Sequence, residues 1–179
     1  LRALFGSAGP RIVAVPFCVD ADFFSPRPYP ERPRIVSIGN DRDRDPQTLF
    51  RALARVHEQR PEVELIVQSA SQADAPAGVE VVQRMSHGEL HELYATASVI
   101  ATATRPNLHV SGTTVTPEAF ATGRPVVNSA PPRMSQYVAL GRTGHLVPLG
   151  DHEAPAERLL SMIADTPRAA ERGRSGAPE

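Results

Sequence analysis

RIVSIGNDRDRDPQTLFRALARV, residues Arg34–Val56, changes its periodicity partway along. Arg34–Gly39 is a continuous β-branched run ending on glycine, the pattern of a strand covered on both faces. Asp41–Asp45 alternates acid and arginine, which reads as a loop. Asp45-Pro46 fits the N-cap and first position of a helix, and Leu49, Phe50, Leu53 and Val56 recur on one apolar face of it. A strand, a loop and an amphipathic helix make the first part of a βαβ unit, and the rest of the chain continues the alternation. Further strands are expected at Val63–Ser69, Val79–Gln83, Ser98–Thr104, Pro125–Asn128 and His145–Pro148. A second helix carries Leu90, Leu93, Tyr94 and Ala97 behind a Ser86–Glu89 capping box, and a third, capped by Asp151, carries Leu159, Leu160 and Ile163. Such alternation implies right-handed crossovers, a parallel sheet and an α/β doubly wound domain. Its ligands bind beyond the carboxyl ends of the strands, so the loops after Gly39, Gln83 and Thr104 are the places to look.

Composition bounds the chemistry. The 179 residues, 41% hydrophobic and 22% charged, suffice for one domain with a real core. A net charge of -1 supplies no global field for nucleic acid or an anionic membrane. All 19 basic residues are arginine, which excludes from this chain a pyridoxal Schiff base, a Walker A loop and a Ser–Lys nucleophile. Cys18 is alone, so there is no intrachain disulfide or cysteine zinc site, and it reads as a small buried hydrophobe. No apolar run is long enough to span a bilayer, and LRALFGSAGP lacks the features of a signal peptide. The chain does not begin with Met and is expected to be a piece of a longer protein. Four of its prolines fall within Ser25–Arg34, a loop or linker. Residues 1–33 are thus expected to be an entry segment or linker, 34–165 the domain, and 166–179 a polar tail that frays from Arg168 onward.

Three segments attract attention as a site. Ser111–Val127, SGTTVTPEAFATGRPVV, runs from a small-residue loop into a short helix that stops at Gly123. Backbone N–H groups there would favour phosphate, and Glu118, a turn further in, could accept hydrogen bonds from hydroxyls; the alternative is a plain turn with an acid near a helix start. Pro117 fits best at the first helical position, with Thr116 as the N-cap. Arg42 and Arg44 offer planar donors for a phosphate, or else simply pair with Asp41, Asp43 and Asp45. His109 lies beside the small-residue loop, as a ligand contact or a packing residue. His87 and His91, in HGELH, miss the HExxH zinc pattern and read as surface helix residues.

Five segments in order resemble the carboxyl-terminal, donor-binding half of a GT-B glycosyltransferase, similar to glycosyltransferase family 4. They are Val15–Phe24 (VPFCVDADFF), Ile35–Gly39 with Arg44–Leu53, Ser86–Val99, Thr114–Val127 with its PEAFATGRPVV, and Thr143–Val147 (TGHLV). The resemblance implies a Rossmann-like half-domain and transfer of a sugar from a nucleotide diphosphate sugar to an acceptor hydroxyl, with retention at the anomeric carbon. It implies no cofactor, no essential metal and a cytoplasmic setting. It also implies an acceptor-binding amino-terminal domain, without which this chain would bind donor but turn over poorly. Glu118 matches the second acid of the family's Glu-x7-Glu motif, which binds the ribose hydroxyls. Ser111, Gly112, Thr113 and Thr114 match the loop that meets diphosphate and sugar, Arg44 or Arg42 the basic diphosphate contact, and Arg84 and Met85 the loop beside the base. The chain departs from the pattern at Val110, where the first acid would stand, at Pro117 in place of the usual Leu, and in having no lysine in the first loop. Two rivals remain at this level: a non-catalytic nucleotide-binding or regulatory domain, and a GT-B epimerase or phosphorylase half.

Overall fold

The computed structural model describes Val13, Val15, residues 17–69 and residues 75–177. Six parallel strands form one sheet: β1 (Arg34–Ser37), β2 (Glu64–Gln68), β3 (Val79–Val82), β4 (Val99–Thr102), β5 (Val126–Ser129) and β6 (Gly144–Val147). Their order is β3-β2-β1-β4-β5-β6. Among the described residues five α-helices flank the sheet: α1 (Pro46–Gln59), α2 (His87–Thr96), α3 (Val115–Ala121), α4 (Glu153–Ala164) and α5 (Thr166–Gly176). This is the expected doubly wound α/β architecture.

The strand pattern accounts for the two layers. Ile35, Val99, Ala101 and Val127 point into a core shared with Leu49, Leu53 and Val56 of α1 and Leu159, Met162 and Ile163 of α4. Their neighbours Val36, Ile100 and Val126 point into a second core with Leu93 and Tyr94 of α2 and Val115, Ala119 and Phe120 of α3. Successive side chains of a strand face opposite ways, so a strand covered on both faces must be apolar throughout. β3, at the edge, is only partly covered.

The caps follow the sequence with adjustments. Asp45 accepts from the Thr48 N–H (3.1 Å), and Ser86 and Glu89 close the capping box, Glu89 Oε2 accepting the Ser86 N–H at 2.7 Å. Asp151 takes the Glu153 and Ala154 N–H groups (2.8 and 3.0 Å) from one residue before the helix's own cap position, His152.

Three expectations are corrected. The tail does not fray over 166–176: Asp165 caps α5 by accepting the Arg168 N–H, and Ala169 and Gly173 are buried. Gly173 sits so close to the Gly123 carbonyl that a Cβ there would collide with it. α3 begins at Val115, not Pro117; Thr116 lies inside it and spends its hydroxyl on the Gly112 carbonyl (2.9 Å). Cys18 is exposed, because its segment lies over the domain instead of entering it. The proline-rich stretch is a loop, as expected, and it is anchored to the domain: Tyr29 packs on the first core and donates its hydroxyl to the Ser98 carbonyl (2.8 Å).

Candidate nucleotide site at the β1–β4 crevice

The chain runs outward from β1 to β2 and β3 and then returns to place β4 on the other side of β1. The loops leaving β1 and β4 therefore lie side by side at the switch point of the sheet, where open α/β folds bind ligands. They are stitched together: Asp45 N–H donates to Ala103 O (3.0 Å), Arg105 N–H to Asp43 O (2.8 Å), and Arg44 and Thr104 form an antiparallel bridge.

Arg44 folds back from this stitch onto the end of β1. Nη2 donates to Ile38 O at 3.0 Å. Its guanidinium lies flat against Gly39, whose φ of 124° and lack of a side chain make room for it; a Cβ there would strike Nη2. On the far side, Nη1 stands 3.5 Å from where a Cβ of Gly112 would be, and Gly112 also has a left-handed φ, 97°. Nε and Nη1 are buried and have no hydrogen-bond partner. Burial pulls the Arg44 pKa down from its usual value, opposed by the nearby Asp41 and Tyr94. Of the two arginines in the loop, only Arg44 reaches this gap: Arg42 is 87% exposed and faces Asp43 at 3.7 Å.

The loop from β4 brings Ser111, Gly112, Thr113 and Thr114 alongside. Ser111 is buried, and its N–H is held by Asn107 Oδ1 (2.9 Å). The Thr113 N–H donates to Val110 O, and Thr116 and Glu118 N–H groups return to Gly112 and Thr114 carbonyls. Pro117, at the third helical position, has no N–H to offer. The start of α3 thus gives fewer free amides than the sequence suggests, whereas Arg44 keeps two buried nitrogens without a partner.

Glu118 is half-buried and opens into a cleft of about 360 Å³ lined also by Phe17, Phe23, Phe24 and His87. Its Oε2 accepts the Tyr94 hydroxyl at 2.6 Å. Burial raises the Glu118 pKa, against the Tyr94 hydrogen bond and the His87 imidazole, which lower it. Tyr94 itself is fully buried, and burial beside Glu118 drives its pKa well up, so it remains a neutral donor. Tyr94 reads in the sequence as one more apolar position of α2; the available signal was that a buried tyrosine hydroxyl needs a partner.

The other expected contacts are Arg84, Met85 and His109. Arg84 is exposed, and Met85 lines a shallow groove with Arg34, Glu89 and Leu93 that shares no residue with the Glu118 cleft. His109 faces two carboxylates, Nε2 to Asp41 Oδ2 at 3.0 Å and Nδ1 to Asp43 Oδ2 at 3.4 Å. With ligand atoms within 4.8 Å of one another, these three side chains are the group among the described residues that has the composition of a metal site. His87 and His91 form no such group; His91 packs on Phe23, ring centroids 5.3 Å apart.

A family model for group 1 glycosyl transferases matches residues 32–165. The chain belongs to that family. No curated protein sequence matches this glycosyl transferase chain. Among solved structures it is similar to the carboxyl-terminal domain of the group 1 glycosyl transferase LpcC from Francisella tularensis (16% identity, 88% of this chain and 94% of that one, TM-score 0.74). It is also similar to sucrose-phosphate synthase from Thermosynechococcus elongatus (22% identity, 98% and 49% covered, TM-score 0.74). A third is Anabaena HepE in complex with UDP-glucose (17% identity, 89% and 50% covered, TM-score 0.72). The chain spans about half of the last two proteins. At these identities the likeness is one of fold, a GT-B half-domain. No helix among the described residues is long and apolar enough to cross a membrane.

Proposed function

We propose that this domain binds a nucleotide diphosphate sugar as donor and forms half of a retaining transferase of carbohydrate biosynthesis. A preceding domain would hold the acceptor. The observation that carries the reading is the Arg44 guanidinium, buried between Gly39 and Gly112 with Nε and Nη1 unpartnered. A buried cation short of acceptors is completed by an anion, and the planar fork suits phosphate oxygens. Glu118, opening into its own cleft, suits the ribose diol. The UDP-glucose bound by HepE supports a donor of this class.

In the reaction the anomeric C–O bond to the diphosphate breaks and a bond to the acceptor oxygen forms. The nucleoside diphosphate leaves with the bonding pair, and the acceptor hydroxyl passes its proton to an oxygen of that leaving diphosphate. Arg44 stabilises the charge gathering on that leaving diphosphate. No step calls for a metal ion, since arginine supplies the countercharge. Alone, the domain is expected to bind donor with little turnover, in a cytoplasmic setting.

Val110 favours a second reading. An apolar residue stands where the resemblance puts an acid, which suits a non-catalytic nucleotide-binding domain. Calorimetry with UDP, uridine and UDP-glucose, with and without chelator, tests the binding that both readings share. UDP is expected to bind tighter than uridine and to be indifferent to chelator. Absence of binding by UDP, GDP and ADP alike overturns the proposal, and loss on chelation overturns its metal-free form. Joining the domain to the protein's remaining chain and assaying sugar transfer separates enzyme from binding module.

A further inference from the structure

We infer that His109 serves the diphosphate without touching it, as a strut that holds the β4–α3 loop against the loop carrying Arg44. The inference rests on the nucleotide reading above and adds a positioning residue to it. Beyond its single bond to Ile38 O, the Arg44 head is placed by the distance between two loops. The backbone stitch at Asp43–Asp45 and Ala103–Arg105 fixes only the near end of the second loop. That loop then travels out through Leu108, 90% exposed, and must return to set Gly112 beside Nη1.

His109 stands at that return. Its Nε2 is hydrogen-bonded across the crevice to Asp41 Oδ2 at 3.0 Å and its Nδ1 stands 3.4 Å from Asp43 Oδ2, while the other Asp41 oxygen accepts the Asp43 N–H at 2.8 Å. One imidazole thus spans a preformed pair of carboxylates in the turn immediately before Arg44. Val110, the next residue, has φ 58°, a left-handed conformation that a β-branched residue adopts only at a cost. A loop bent against its own preference needs an external hold, and His109 is the adjacent side chain that supplies one. With Nε2 committed to Asp41, His109 could turn toward a ligand only by releasing the strut.

The test uses the 179-residue chain and two readouts. The first is free of ligand: the Arg44 Nε–H proton, buried in the gap, is expected to exchange slowly by NMR in the parent. It should exchange at least tenfold faster in H109A and recover in H109R, where a guanidinium again spans the two carboxylates. Unchanged exchange in H109A overturns the inference, even if the chain binds no nucleotide. The second is calorimetry with UDP and uridine. H109A is expected to weaken UDP five- to tenfold, leave uridine unmoved, and lose most of its further effect once Arg44 is alanine. Multiplicative losses in H109A and R44A would mean that His109 contacts the ligand directly. Equal losses for uridine and UDP with a lowered melting temperature would mean that it only supports folding. Absence of binding by UDP, GDP and ADP alike in the parent, with the exchange result intact, sinks the nucleotide reading and leaves the strut standing.

Discussion

Glu118 is pulled in opposite directions by folding and by its proposed ligand. Burial raises its folded-state pKa above the unfolded value, so the fold prefers the protonated carboxyl. The corresponding stability is fully present below the unfolded pKa and is lost as pH rises through the folded one. E118Q is therefore expected to melt higher than the parent at about pH 7–8, with the margin closing below about pH 4. A higher parent melting temperature at neutral pH would show that the carboxylate is compensated in the fold. The same substitution should weaken UDP about tenfold, since a hydrogen bond to a charged group contributes about 1.5–3 kcal/mol; calorimetry on the folded variant decides. Arg44 is expected to act on the phosphates alone. R44A should weaken UDP about tenfold or more while leaving uridine unmoved, and R42A should change neither, because Arg42 points to solvent. Equal losses for UDP and uridine in R44A would make the loop's role one of folding.

At the scale of elements, α5 shows how a helix can hide from pattern reading. TPRAAERGRSG has almost no large apolar residue, and the face it buries is Ala169 and Gly173. The helix packs by close approach, its Gly173 against the Gly123 carbonyl and Gly176 against the Phe120 ring. G173A is expected to cost about 1–3 kcal/mol in chemical denaturation, the range for overpacking a tight contact. G88A, in α2, has nothing within 4 Å of its new methyl and should stabilise by about 0.5–1 kcal/mol. If both variants behave alike, helix propensity and not the α5 contact governs Gly173.

Across the whole molecule, Arg124 ties together pieces distant in the chain. It is wholly buried, and it donates to Tyr94 O (3.1 Å), Ala95 O (2.8 Å), Pro28 O (2.7 Å) and Arg27 O (3.2 Å). The entry segment, the end of α2 and the start of β5 thus share one guanidinium. Burial lowers its pKa to about 10, which leaves it charged at neutral pH. R124A strands several buried carbonyls and should cost about 3 kcal/mol or more. R124K keeps the charge but loses the fork and should fall between the two. A melting temperature for R124A within a degree or two of the parent would show that the entry segment is held by other contacts. Because the Tyr94 backbone is among its partners, loss of UDP affinity in R124K at full folding would extend the candidate site's support as far as the entry segment.

The sequence by itself determined the layers. Strands buried on both faces must be apolar at consecutive positions, and helices covering them must be apolar on one stripe, so Ile35-Val36, Val99-Ile100 and the Leu49–Val56 stripe announce a two-sided sheet. It also determined the caps at Asp45 and Ser86, whose side chains satisfy N–H groups only three residues away. Glycines at 39 and 112 could be marked as places of close approach, though not what approaches them. Only the tertiary structure decided that. Which of two arginines in one loop turns inward depends on the space between strands brought together by the sheet order, and neither spacing nor composition encodes it. The same holds for Tyr94 meeting Glu118 and His109 meeting two aspartates: each pair spans dozens of residues, and contacts at that separation are set by how the layers pack. Arg124 and α5 were illegible for a related reason. Local patterns report apolar periodicity, whereas a buried guanidinium among carbonyls and a helix seated on glycine depend on partners contributed by other parts of the fold.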